Sequence, residues 1–109
     1  MMVGAILTQA TNWRNVVRAI TRLRQHDLLS PQRMAAVRPS TLQALIRSAG
    51  YFRQKAKRLK AFSRWYVRRY GGRPERMFRT TVEALRRELL QRHGIGPETA
   101  DSMLLYAGA

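Results

Sequence analysis

The sequence of 109 residues contains no cysteine. This absence excludes a disulfide framework, a cysteine-ligated zinc ion and an iron–sulfur cluster within the chain. Long apolar runs are also missing, since a membrane-spanning helix needs roughly 20 apolar residues in a row. The opening segment MMVGAILTQA lacks a basic leader, so we expect no signal peptide. We therefore expect a cytoplasmic protein that holds no metal and no cofactor.

Acidic residues are scarce. The chain has 6 Asp and Glu against 21 Lys and Arg, which gives a formal net charge of +15 and a pI near 11.8. Such a surface attracts polyanions, and nucleic acid is the partner that this charge favours. Two other interpretations stay open: a basic amphipathic protein on an anionic membrane, and a basic face that only meets solvent.

Alternating runs of β-branched residues, which would indicate strands, are absent, and Ala, Leu, Arg and Gln dominate. The sequence therefore predicts an all-α fold of several helices in one compact unit. The predicted helices span 3–9, 13–24, a segment that starts at Pro31 after Ser30, a segment between Pro39 and Gly50, 52–70, a segment that begins near Thr81 and ends at Gly94, and a last one that starts at Pro97.

The helix predicted over 52–70 has two unlike sides. At helical spacing its apolar side carries Ala56, Leu59, Phe62, Ser63, Tyr66 and Tyr70, and its basic side carries Arg53, Lys57, Lys60, Arg64 and Arg68. The basic side is either solvated or turned towards phosphates, and position alone does not separate these two interpretations.

The segment HGIGPETAD predicts a tight turn between two helices. Gly94 and Gly96 permit backbone conformations that side chains disfavour, so two helices can be joined in few residues. We expect the apolar Ile95 to point into the gap between the helices. Pro97 suits the first position of the second helix because it has no N–H to leave unpaired, and Thr99 follows in the first turn.

The outer surface of this turn is the first candidate site. Neither glycine carries a side chain there, and we expect bare backbone N–H groups next to the partial positive charge of a helix N-terminus. Such a surface binds a phosphate oxygen without reading base sequence. The pattern apolar-Gly-apolar-Gly-x-x-Thr-Ala is that of the helix-hairpin-helix motif, and an ordinary helical hairpin without a ligand is the alternative.

Three segments together extend the match beyond the hairpin: VGAILTQATNW (3–13), LIRSAGYFRQKAKRLKAF (45–62) and GIGPETADSMLLYA (94–107). In order and spacing they resemble the endonuclease III-like helix-hairpin-helix DNA glycosylases. The ending is most similar to the monofunctional branch that includes 3-methyladenine DNA glycosylases. The resemblance implies a partial glycosylase domain over 1–109, a half-domain with its hairpin at about 82–107. His93 departs from the family, which often has proline there.

The resemblance also implies roles for particular residues. The hairpin residues Gly94, Ile95, Gly96 and Thr99 would bind the DNA backbone. Gln9 would be the wedge that fills the hole left by a flipped-out base, with its amide on the orphaned partner base. Four side chains of the long helix are candidate phosphate contacts: Lys55, which matches a recurrent family lysine, and Lys57, Lys60 and Arg64. Lys55 lies at the edge of the apolar side, so packing of its stem in the core is the open alternative for this residue.

Glu98 stands where bifunctional relatives carry a catalytic lysine. A carboxylate cannot form a Schiff base, so the resemblance implies no lysine-dependent lyase step. The catalytic aspartate of the family lies in the loop after the second hairpin helix, and neither Asp101 nor Asp27 matches it. We therefore expect no catalytic residue within 1–109 and no activity from this chain alone.

The resemblance implies a base-excision repair enzyme whose partner is double-stranded DNA carrying a damaged base, in bacterial nucleoid-associated DNA. For the whole enzyme an alkylated purine is the expected substrate. A non-enzymatic nucleic-acid-binding module is the alternative, and no protein partner is inferred. With both ends of the family domain missing, we expect Val3, Ile6, Leu105 and Tyr106 to expose apolar surface.

Overall fold

The computed structural model describes residues 2–9, 11–77, 79–92 and 94–107, with the backbone alone at 2, 74 and 105–107. These ranges form eight α-helices and one 3₁₀ turn and contain no strand, which confirms the all-α prediction. The α-helices are α1 (Met2–Leu7), α2 (Trp13–Gln25), α3 (Pro31–Ala36), α4 (Pro39–Leu45), α5 (Phe52–Tyr70), α6 (Pro74–Met77), α7 (Val82–Leu90) and α8 (Pro97–Ala107), and the 3₁₀ turn is Arg47–Ala49.

The helix α5 lies at the centre of the fold and has the predicted bounds. Its start and its end are both set by left-handed backbone, at Tyr51 (φ 47°) and at Gly71 (φ 63°). The N–H of Gly71 donates to the carbonyl oxygen of Val67 at 2.8 Å and closes the last turn. The helices α1, α3, α4 and α6 all pack against α5, so this helix contacts most of the other helices.

The apolar side predicted for α5 forms the middle of the core, since all six of its residues are buried. Trp65 is buried as well, and its ring lies 5.6 Å from that of Phe62 and 5.7 Å from that of Tyr70, edge to face in the second pair. The radius of gyration is 13.0 Å, the value expected for a compact domain of about 100 residues.

The helix α2 begins where the sequence predicted. The Oδ1 atom of Asn12 accepts a hydrogen bond from the N–H of Asn15 at 3.1 Å, which is an N-cap. The buried side of α2 consists of Val16, Ala19, Ile20 and Leu23. Val17 is 43% exposed, because one residue after Val16 the helix has turned by about 100°.

The helix α1 packs against α5 and α8, and this packing overturns one expectation. Ile6 is fully buried, and Val3 is partly buried against the core, so the predicted exposure of Ile6 is wrong. The predicted exposure of Leu105 and Tyr106 concerns side chains outside the described set. The helix ends at Leu7, which leaves Gln9 in the turn that follows it. No helix in the described ranges is long and apolar enough to cross a membrane.

Candidate nucleic-acid interface

The hairpin consists of α7, the turn after it and α8. Leu85 and Leu89 are buried on α7, whereas Val82 is 63% exposed. Ile95 is buried in the core, in agreement with the prediction that its side chain points inwards. Ala100 and Met103 are fully buried on the facing side of α8, where the small Ala100 permits close approach.

The turn itself is shaped by its two glycines in different ways. Gly94 has a φ of 75°, in the left-handed region that favours glycine. Gly96 is exposed, and a β-carbon built on it would have no neighbour within 4 Å in the part of the chain that the structure describes. The carbonyl oxygen of Gly96 accepts the N–H of Ala100 at 2.9 Å and thereby starts α8, with Pro97 as its first residue. The residue His93 lies outside the described residues.

One of the amides predicted to be bare is occupied. The N–H of Ile95 donates to the carbonyl oxygen of Arg92 at 3.2 Å and closes the turn. This corrects the expectation for Ile95, whose amide is used within the hairpin and whose side chain is in the core. The exposed part of the turn is centred on Gly96 and on the first turn of α8, where Glu98 is exposed as a first-turn acid.

Gln9 is hydrogen-bonded to the hairpin. Its Nε2 atom donates to the carbonyl oxygen of Gly94 at 2.9 Å and to Oγ1 of Thr99 at 2.9 Å. Its Oε1 atom accepts from Nη1 of Arg58 at 2.7 Å. The structure thus brings the predicted wedge residue and two predicted backbone-binding residues into one partly buried polar cluster.

Arg58 is a site residue that sequence reasoning missed. Its side chain lies across Gly94, so that a β-carbon on Gly94 would come within 2.6 Å of its Cγ atom. Its Nε atom is buried and has no hydrogen-bond partner within the described ranges. The only available signal was its position three residues after Lys55, on the same flank of α5. The hydrogen bond between Arg58 and Gln9 joins residues 49 positions apart in the sequence, so no local sequence pattern indicates it.

Lys55 does not lie at the surface. It is fully buried, and its Nζ atom donates to the carbonyl oxygens of Leu7 at 2.8 Å and Ala49 at 2.7 Å, at the ends of α1 and of the 3₁₀ turn. Burial, followed by the charge of Arg58, lowers the pKa of Lys55 to about 8. The prediction that Lys55 contacts a phosphate is therefore wrong, because its ammonium group binds the ends of two helical segments.

Lys60 has a similar position beside α3. Its Nζ atom donates to the carbonyl oxygen of Ala35 at 2.8 Å, to that of Met34 at 3.4 Å and to that of Val37. Burial lowers the pKa of Lys60, and the charge of Arg64 lowers it further. Lys60 thus caps the last turn of α3 and was wrongly predicted as a phosphate contact on the basic side of α5.

Lys57 and Arg64 are exposed on α5, as the basic side predicts. Arg64 lines a surface groove with Ala35 of α3. These two residues remain candidate phosphate contacts by exposure and charge.

The two aspartates singled out from the sequence make ion pairs at the surface. Asp101, on α8, accepts from Nε of Arg86 at 2.9 Å and so links the two hairpin helices. Asp27 lies 3.6 Å from Arg33, between α2 and α3. Among the described residues, no three His, Cys, Asp or Glu side chains are grouped so that they could hold a metal ion.

The order and packing of these elements agree with a known family. The model of the HhH-GPD superfamily of base excision DNA repair proteins matches residues 3–106. The chain belongs to this superfamily. Its all-α fold is thus that of a DNA glycosylase domain, as the sequence resemblance implied.

Relatives in the superfamily are longer than this chain. A protein of Methanocaldococcus jannaschii named as a putative DNA repair glycosylase is 49% identical in an alignment of 109 positions, which covers 98% of this chain and 49% of the relative. Endonuclease III of Thermotoga maritima is 34% identical over 104 residues, and the alignment covers 95% of this chain and 45% of the relative. The chain spans about half the length of these two curated relatives.

A solved structure shows the same fold. The crystal structure of H. pylori 3-methyladenine DNA glycosylase bound to 1,N6-ethenoadenine superposes with a TM-score of 0.87 and 30% sequence identity. The similarity covers 97% of this chain and 50% of the other. The chain therefore shares its fold with about half of that glycosylase.

Proposed function

We propose that this chain is the DNA-binding half of a base-excision repair glycosylase and grips double-stranded DNA at its hairpin. The turn offers an exposed Gly96 at the N-terminus of α8, and no atom of the described residues would lie within 4 Å of a β-carbon built there. A helix N-terminus carries partial positive charge, and a phosphate oxygen can approach closely where no β-carbon intervenes. The net charge of +15 brings the polyanion to this surface.

The observation that carries the proposal is the contact between Gln9 and the hairpin. The Nε2 atom of Gln9 lies 2.9 Å from both the carbonyl oxygen of Gly94 and Oγ1 of Thr99. A group that enters the base stack must stand next to the group that holds the backbone, because flipping rotates a nucleotide out between its flanking phosphates. Gln9 and the hairpin meet this requirement.

In the whole enzyme the flipped base is a damaged, alkylated purine, and its glycosidic bond is hydrolysed. A solved relative is bound to 1,N6-ethenoadenine, which is a modified purine. Glu98 occupies the position of the lyase lysine, so base removal proceeds without a Schiff base on this residue. The contribution of this chain is backbone grip by Gly94, Gly96 and Thr99 and base replacement by Gln9.

The hairpin is tested by the variant Gly96→Val. A branched side chain on the exposed turn should weaken duplex binding by roughly tenfold, because it separates the phosphate from the amides. Circular dichroism should show unchanged helicity, since the site has open space around it. Ser40→Val is the control, because it places the same branched side chain at the exposed start of another helix, α4.

Fluorescence anisotropy at fixed salt supplies the binding constants for an intact duplex and for one with an abasic-site analogue. We expect both affinities to fall with Gly96→Val and the native chain to prefer the abasic duplex. Unchanged binding by Gly96→Val would remove the hairpin from the interface. Equal affinities of the native chain for the two duplexes would favour a nucleic-acid-binding module that does not sense lesions.

A further inference from the structure

Both N–H groups of the Gln9 carboxamide donate hydrogen bonds within the protein. A glutamine side chain has two N–H donors and one oxygen that can accept twice. Both donors of Gln9 have partners, Gly94 and Thr99, and its oxygen accepts from Arg58 at 2.7 Å. In this arrangement Gln9 has no donor left for an orphaned base. The side chain is docked on the hairpin.

Arg58 holds the oxygen end of this docked side chain. The hydrogen bond from Nη1 of Arg58 to Gln9 is short and charge-assisted, which makes it the strongest of the three. The stem of Arg58 is fixed against Gly94, and its buried Nε atom has no partner among the residues that the structure describes. An unpaired buried guanidinium N–H is unfavourable, so the arrangement around Arg58 is not fully satisfied and can give way to another.

We propose that Arg58 is a positioning residue that keeps Gln9 docked on the hairpin until DNA engages, and that Gln9 leaves this cluster to enter the duplex. The inference rests on the proposed wedge role of Gln9. If DNA binds only to molecules in which Gln9 is undocked, the apparent affinity is reduced in proportion to the small fraction of such molecules. Binding through the hairpin alone does not require undocking. The cluster of Gln9, Arg58, Gly94 and Thr99 therefore lowers affinity for a lesion selectively and keeps Gln9 out of intact base stacks.

The test compares two affinities of the 109-residue chain, one for a duplex with an abasic-site analogue and one for the intact duplex. Arg58→Met keeps the apolar stem on Gly94 and removes the guanidinium. The loss of one positive charge weakens binding to both duplexes by the same factor, so this effect cancels in the ratio of the two affinities. The release of Gln9 should raise the ratio, abasic over intact, by roughly threefold to tenfold.

Arg33→Met is the charge-matched control. It also removes one guanidinium, which pairs with Asp27 at the surface of α3, and it should leave the ratio unchanged. NMR provides a readout without DNA. The side-chain NH₂ signals of Gln9 should move towards those of an exposed glutamine in Arg58→Met and stay in place in Arg33→Met.

Thr99→Val is a second route to the same state, should Arg58→Met fail to fold. It removes an acceptor of Gln9 at nearly constant shape and should raise the ratio by roughly twofold to fivefold. A ratio that falls or stays constant in both variants would overturn the docking proposal.

Gln9→Ala separates this proposal from the proposed function. It should bring the ratio close to one. If Gln9→Ala still prefers the abasic duplex, the wedge role fails and the docking proposal fails with it. If Gln9→Ala loses the preference while Arg58→Met and Thr99→Val leave the ratio unchanged, the wedge role stands and docking alone is refuted.

Discussion

The Nε2 atom of Gln9 lies 2.9 Å from the carbonyl oxygen of Gly94, across 85 positions of sequence. This bond ties the turn after α1 to the turn before α8, two segments whose helices also pack on each other. A change of backbone shape at Gly94 is therefore transmitted to Gln9 directly. The same carbonyl is held in place by the left-handed conformation of Gly94, which gives the first prediction.

Gly94→Ala should destabilise the chain by about 1–3 kcal/mol. The alanine would have to adopt a φ of 75°, and its β-carbon would come within 2.6 Å of Cγ of Arg58. Gly96→Ala is the matched control, because Gly96 has open space and no positive φ, and its effect should stay within about 0.5 kcal/mol. Urea unfolding of both variants measures the difference, and equal losses would contradict it.

Lys55 should give the stability a specific pH dependence. In the folded chain its pKa is lowered to about 8, whereas unfolding returns it to about 10.5. Between these values unfolding takes up a proton, so the contribution of Lys55 to the free energy of unfolding rises with pH in this window and is constant below about pH 8.

The variant Lys55→Met isolates this contribution. The free energy of unfolding of the native chain relative to Lys55→Met should increase between about pH 8 and about pH 10, by at most about 3 kcal/mol. Urea unfolding across this range measures it. Lys57→Met removes an exposed lysine of the same helix and controls for one positive charge less. A difference that is constant with pH would show that Lys55 keeps its ordinary pKa.

Lys60→Met should cost about 1–3 kcal/mol of stability, since it leaves the carbonyl groups of Met34, Ala35 and Val37 without their buried donor. Arg64→Met removes a neighbouring exposed cation and should change stability by less than about 0.5 kcal/mol. Thermal unfolding compares the two variants. Similar melting temperatures would mean that water replaces the ammonium group at the end of α3 without loss.

Local chemistry was sufficient to predict the elements that frame the site. The bounds of α5, the start of α2 at Trp13 and the burial of Ile95 all follow from spacing, capping and turn residues, and the structure confirms them. These features depend on neighbours within one or two turns of helix. The superfamily was likewise recognisable, because its three segments are themselves local patterns in a fixed order.

The partners of charged side chains could not be predicted in this way. A helical wheel places Lys55 among Phe62 and Tyr66, inside the apolar arc, so its burial was open to prediction. Its acceptors, the carbonyl oxygens of Leu7 and Ala49, depend on where α1 and the 3₁₀ turn end in space. The contact of Arg58 with Gln9 likewise requires the packed arrangement of α1 against α5.

The enclosed ammonium groups of Lys55 and Lys60 also bear on how this protein senses ionic strength. Both are surrounded by main-chain oxygens, so they recruit no mobile anions in the free chain and displace none from it. The number of counterions released when DNA binds is therefore smaller than the count of 21 basic residues would suggest. The slope with which the DNA-binding constant falls as salt is added is therefore set by the outward-facing arginines and by Lys57, rather than by the formal charge.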